Sequence, residues 1–353
     1  MVSVLIDVVL DRGHAQREEL QSVVNQAGGA LSSVDTAGCW GDAIAAGQAE
    51  WIVLVDRGSQ VAAADLRSLT VLLEAVQKPV WMQPWSSSGA GLRLVHHHCP
   101  AAVSLCWGHP AEHFAVCVRR VSLETLPTFH EDHAEVIWDW LIRSVPLAIG
   151  AGNIAVTDAA NNVGADAGSI RYAAPPSLVS SSPAPEQGWL IDHIQRSKPS
   201  QFVPEKCSEA DAVAVKAGLL LWHDAAEASH QLSQSVEGLG THQAGDYWHA
   251  ILHRREPDYS NAKYWFRLVG THSVFSELVP HAARILNGVA EEPAWKSRLC
   301  GRGTWDPFAF VDLCETCAGH EDSSLGMAAR QIQAVEMQLL MVSTYCDASG
   351  MKV

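Results

Sequence analysis

Positive charge is scarce in this chain: 24 Lys and Arg stand against 39 Asp and Glu, a net charge of -15 over 353 residues. A surface of that sign repels phosphate backbones and anionic headgroups, so no nucleic-acid partner is expected, and only a local pocket can be basic. Long apolar runs are also missing. None approaches the roughly 18 residues that a membrane-spanning helix needs, so no membrane span is expected. Met1 to Leu10 lacks a basic leader, and Asp7 and Asp11 break the apolar stretch, so no secretory signal is expected either. Nine cysteines, an odd number, then read as reduced thiols of a cytoplasmic protein. No phosphate-cradling GxGxxG or P-loop is present, nor a serine or cysteine nucleophile in motif spacing with a base. What remains is a globular chain, 48% hydrophobic and 18% charged, long enough for two domains with cores of their own.

Aromatic, basic and histidine residues crowd together in one place, Gly245 to His272, GDYWHAILHRREPDYSNAKYWFRLVGTH. Large flat side chains beside ionisable ones suit a pocket for a small polar ligand. Pro257 cannot continue a helix but fits the first turn of one, with Asp258 at the positive end of the dipole, so one helix is predicted before it and another after it. On the first helix His249 and His253 share a face, with Trp248 and Leu252 beside them. On the second, Lys263 shares a face with Arg267, and Tyr264 with Leu268. The meeting of the two helices brings the histidines, Glu256 and Asn261 into one neighbourhood.

Two chemistries follow from that stretch. His249 and His253, with His230 or Glu256 as a third ligand, can hold a divalent metal, which would make the two histidines catalytic. Chance alone supplies about one such i,i+4 pair among 17 histidines, His109 and His113 form another, and Ala250 occupies the place of the zinc-peptidase glutamate. The alternative is histidines hydrogen-bonded within a helical core. Arg254, Lys263 and Arg267 offer guanidinium and ammonium groups to an anionic ligand. The alternative is a solvated basic face in which Glu256 pairs with Arg255 or Arg254. Tyr259 and Trp265 add surfaces on which a small-molecule or sugar-type ligand can stack.

Along the chain, VSVLIDVVL (2–10), WIVLVD (51–56), PVWMQPW and FAVCVRRVSLETL read as buried strands, alternating with helices near 15–25, 42–48 and 63–76. That alternation predicts an α/β sheet with ligands at the carboxyl ends of its strands. His96, His97 and His98 alternate faces on a short strand. Residues 157–187 are rich in Ala, Ser, Pro and Gly and read as a linker or loose surface segment. From 188 to 353 helix follows helix: one from an N-cap at Ser208 through AVAVKAGLLLWHDAAEASHQLSQ, the two central helices, SVFSELVPHAARIL, one opening at Asp306 and Pro307, and a last helix with Ile332, Val335, Leu339 and Val342 at core spacing. Cys314 and Cys317 close a helix as two buried thiols on one turn.

Two resemblances attach to these pieces. The opening strand, WGDAIAAGQAEWIVLVDRGSQV, FAVCVRRVSLETLPTF and HEDHAEVIWDWLIRSV resemble a reduced family 2 glycosyltransferase domain of the GT-A type, covering residues 1–156. The resemblance implies a GT-A or Rossmann-like α/β domain in which Asp56 is the first metal-site acid and Glu131 or Asp132 the catalytic base. Gly58 stands where the second acid of the DxD motif belongs and Asp35 is a lone aspartate, so the domain is expected to be degenerate: one carboxylate holds a hard cation poorly. LLLWHDAAEASHQLSQSVE and the HRREPDYSNAKYWF run resemble a helical family of unassigned activity, with Leu268 and Ser273 departing from its arginine and proline. The expectation is therefore a glycosyltransferase-like α/β domain (1–156), a linker (157–187) and an all-α ligand-binding domain (188–353), of unknown oligomeric state. A metal-dependent enzyme and a non-enzymatic scaffold are the alternatives.

Overall fold

Short β-branched runs form the described strands of the first half of the chain, and long alanine- and leucine-rich stretches form the helices of the second. The computed structural model describes residues 6–11, 17–26, 31–34, 47–55, 59–61, 80–82, 103, 106, 107, 115–119, 149–151, 156–158, 175–183, 188–203, 206–290 and 292–351. The chain divides into two units, Met1–Ala173 and Ala174–Val353.

In the first unit β1 (Ile6–Asp11), α1 (Arg17–Gln26), β2 (Leu31–Val34), β3 (Trp51–Val55), β4 (Ser59–Val61), β5 (Val80–Met82), β6 (Ala115–Arg119), β7 (Ile149–Ala151) and β8 (Val156–Asp158) are described. Six of the strands form one sheet in the order β2-β1-β3-β6-β5-β7, while β4 and β8 pair separately. Trp51, Ile52 and Val53 are buried on β3, and Asp7 on β1 accepts a 2.8 Å hydrogen bond from the Ala49 amide.

The expected GT-A or Rossmann-like α/β domain is corrected here. The described residues are mostly helical, and the strands are only three to six residues long. Strand direction is mixed, with β6 antiparallel to both β3 and β5, whereas a doubly wound sheet is built from parallel strands covered by helices. An apolar run such as AVCVR fixes burial but not direction, which is why the sequence reads equally well either way. Asp56, Glu131 and Asp132 lie outside the described residues, as do Asp35, Gly58, the histidines at 96–98, His109, His113 and the helix expected at 63–76.

The second unit contains α2 (Gly188–Arg196), α3 (Pro199–Phe202), α4 (Glu209–Trp222), α5 (Ala226–Ser235), α6 (Ala244–Arg255), α7 (Tyr259–Val269), α8 (Ser273–Ile285), α9 (Glu292–Leu299), α10 (Pro307–Cys317) and α11 (Ser324–Ser349). Start signals sit where the sequence puts them. Ser208 accepts from the Asp211 amide, and Asp306 accepts from Phe308 and Ala309 ahead of Pro307. α11 packs against α4, α8 and α10 and is buried nearly all round, so it is the central helix rather than an amphipathic surface one. No described helix is long and apolar enough to cross a membrane.

Two expectations change. The single helix read from Ser208 through Gln234 is broken into α4 and α5 by Asp224, which takes a left-handed conformation (φ 60°). Part of the expected linker, residues 175–183, is docked on the helices, with Leu178 1% exposed.

α4 and α6 approach closely because Gly218 leaves room for an indole. A Cβ there would lie 2.6 Å from Trp248 and 2.7 Å from Met341. Gly218→Ala is therefore expected to destabilise the unit: overpacking costs typically about 1–3 kcal/mol, against roughly 1 kcal/mol regained in helix propensity. Thermal denaturation reads this as a drop of a few degrees; an unchanged midpoint would show that the contact has slack.

Candidate functional site

All twelve residues of α6, Ala244–Arg255, are buried, so each polar side chain on it needs a partner inside the protein. Asp246 accepts from the Gly238 amide, Tyr247 donates to Glu336, and Trp248 Nε1 donates to Thr344. Arg254 pairs with Glu336 at 2.5 Å and Arg255 with Asp224 at 2.5 Å. His249 is different. Only 2% exposed, it has no hydrogen-bond partner for Nδ1 among the described residues.

What surrounds His249 instead is aromatic. Its ring stacks on Trp265 of α7 (3.8 Å between centroids, 22°) and on His253 one turn along α6 (4.7 Å, 29°), and meets His230 of α5 edge-on at 4.7 Å. Ligating atoms of His230, His249 and His253 all lie within 4.8 Å of one another. Among the described residues this is the only such group of three histidine, cysteine or acidic side chains. His230 is half-buried and supplies the solvent-facing side of the trio.

Burial keeps the two α6 imidazoles in their neutral form. Burial, reinforced by His253 and His230, lowers the His249 imidazole to about 3. His253 is also lowered, mainly by burial, although Glu256 works against the shift. Its Nδ1 lies 3.1 Å from the Glu256 carboxylate, which can only accept. Nδ1 therefore carries the hydrogen and Nε2 keeps its lone pair. His253 also sits in the last turn of α6, where the helix dipole presents its negative end.

The other expected site residues do not gather at the trio. Arg254 is fully buried between Glu336 and Gln333, with Phe310 4.5 Å beneath it. Lys263 joins Asp312, which Arg298 shares, and Arg267 lies over Phe308. Tyr259 has its hydroxyl raised by burial and by Cys314, Glu315 and Glu321, placing it toward α10. Pro257 precedes the second helix without entering it, and the N-cap is Asp258, which accepts from the Asn261 amide. Asn261 lies one turn before Trp265 on α7 and is half-buried. Cys314 and Cys317 are buried thiols, and burial raises Cys314 to about 12. Sequence reasoning missed Glu336 and Asp224 as the partners of the two arginines. The only trace of Glu336 is an acid among the core positions of α11.

No family model matches the chain, and no curated protein or solved structure matches it.

Proposed function

We propose that the helical unit is a metal-dependent enzyme module in which His230, His249 and His253 hold a transition-metal dication. The observation that carries this is the convergence of three imidazoles around a buried His249 whose Nδ1 has no hydrogen-bond partner among the described residues. A tetrahedral ion with bonds of about 2.0–2.1 Å separates its nitrogens by about 3.3 Å, so small side-chain rotations close the trio around it. Imidazole donors suit zinc, copper, nickel or iron better than magnesium or calcium.

Three protein ligands leave a coordination position open, the pattern of a catalytic site. Neutral ligands leave the full charge of the dication on the metal. A dication held there would bring the ionisation of a water in that position toward neutrality, and so would supply the nucleophile for hydrolysis or hydration of a small polar substrate. Glu256 fixes the tautomer and aim of His253, as outer carboxylates do at metal sites. Trp265 covers one face of His249 and keeps bulk water from it. The acidic chain and the free thiols of its described cysteines fit a small-molecule substrate and a reducing, cytoplasmic setting.

Elemental analysis of the purified full chain tests this. Near-stoichiometric zinc, copper, nickel or iron is expected in the wild type and its loss in both His249→Ala and His253→Ala. A wild-type protein that stays metal-free after reconstitution would sink the reading.

A further inference from the structure

The trio draws on two elements, His230 on α5 and His249 with His253 on α6, so its geometry depends on what fixes α5 against α6. One group of contacts does this at the ends nearest the site. Asp224 stands six residues before His230 and Arg255 two residues after His253. Arg255 donates through Nη1 to the Leu221 carbonyl at 2.6 Å and through Nη2 to Asp224 Oδ1 at 2.5 Å, tying the C-terminus of α6 to the α4–α5 corner.

Residues 175–183 complete that tie. Ser180 Oγ and Ser181 Oγ donate to the two oxygens of Asp224 (3.2 and 3.1 Å), the Ser180 amide donates to the Arg255 carbonyl at 2.7 Å, and Arg255 Nε donates to the Ser177 carbonyl at 3.1 Å. The segment is anchored at its back by Glu321, which accepts from the Leu178 and Val179 amides, and by Arg330 and Gln333, which donate to its carbonyls. The segment is held by the buried Leu178 as well as by these polar contacts, and its Ser180 and Ser181 contacts converge on the Asp224–Arg255 pair.

We infer that residues 175–183 are a strap that sets the spacing of α5 and α6 through Asp224 and Arg255, making Ser180 and Ser181 positioning residues for the three-histidine site. This rests on the metal reading above. Displacing the strap frees the Asp224 carboxylate from two of its donors and lets the left-handed corner at 224 relax, which moves His230 relative to the pair on α6. The ion is then held by two histidines and solvent.

The test compares the full chain with the paired substitutions Ser180→Ala, Ser181→Ala and Ser180→Thr, Ser181→Thr. Zinc affinity is measured by competition with a chromophoric chelator, and coordination geometry by the visible absorption of bound Co²⁺. The alanine pair is expected to bind zinc about tenfold more weakly and to lose the intense Co²⁺ bands of a four-coordinate site, and the threonine pair, which keeps both hydroxyls, to restore them. Equal affinity and equal spectra in the wild type and the alanine pair would overturn the strap while leaving the metal site standing. Should the wild type bind neither ion, the metal reading falls and hydrogen exchange decides on the strap. Faster exchange of the α5 amides, Ala226–Ser235, in the alanine pair alone supports it, and unchanged exchange overturns it.

Discussion

Glu336→Leu is expected to lower the melting temperature of the helical unit by roughly 6–20 °C. Glu336 and Arg254 are both 0% exposed, and their oxygen and nitrogen meet at 2.5 Å. Burial alone would push the guanidinium toward neutrality, but Glu336 outweighs it and Arg254 stays charged. Removing the carboxylate leaves that charge buried, supported by the rings of Phe310 and Phe266 and by a 3.4 Å contact to Gln333. The Tyr247 hydroxyl loses its acceptor at the same time. Breaking one side of a buried pair costs about 3–5 kcal/mol, and about 1 kcal/mol shifts a unit of this size by 2–4 °C. The double substitution Arg254→Met with Glu336→Leu should recover most of the loss, since two apolar side chains of similar length refill the site without charge. Calorimetry of both variants checks this. A single variant within 2 °C of wild type would mean that Arg254 finds another counter-charge.

That pair shows why the sequence discloses the site only in part. HRRE reads as a basic surface because charged residues are rarely fully buried. Only the partner on α11, about 80 residues away, makes burial affordable, and no local periodicity announces a contact across that distance. The two histidines one turn apart on α6 are legible from spacing alone, as are the capped starts of α4 and α10, because those signals are local. His230 as third member was open between itself and Glu256. In the fold His230 packs edge-on against the α6 imidazoles, while Glu256 contacts His253 through Nδ1. The docking of residues 175–183 is not legible in the sequence, since the groups that hold them, Asp224, Arg255, Glu321, Arg330 and Gln333, lie far along the chain. In the first unit the apolar runs at 51–55 and 115–119 are visible as strands, yet their antiparallel pairing is a property of the assembled sheet.

Acid is expected to destabilise the metal-free protein well before its carboxylates protonate. Burial lowers His249 to about 3 and His272 to about 4, whereas an unfolded imidazole titrates near 6.5. For a depressed histidine the unfolded chain takes the proton first. Stability is therefore complete above about pH 6.5 and falls as pH drops below it, down to the folded value. Each such group contributes a slope of about 1.4 kcal/mol per pH unit, so the two together remove on the order of 4 kcal/mol between pH 6.5 and 5. Asp246 and Asp347, whose carboxyls burial raises, act in the opposite sense, but only where carboxylates begin to protonate. Melting temperatures measured from pH 8 to 5 should fall steeply below 6.5. His272→Asn should flatten the fall by about half while keeping the side-chain acceptor that His272 provides to the Val274 amide at the start of α8. A bound dication occupies the lone pairs that protons would take, so the metal-loaded protein should hold its melting temperature to lower pH than the metal-free one. A flat profile between pH 7 and 5 in the metal-free protein would show that water reaches both imidazoles and that burial does not hold them neutral.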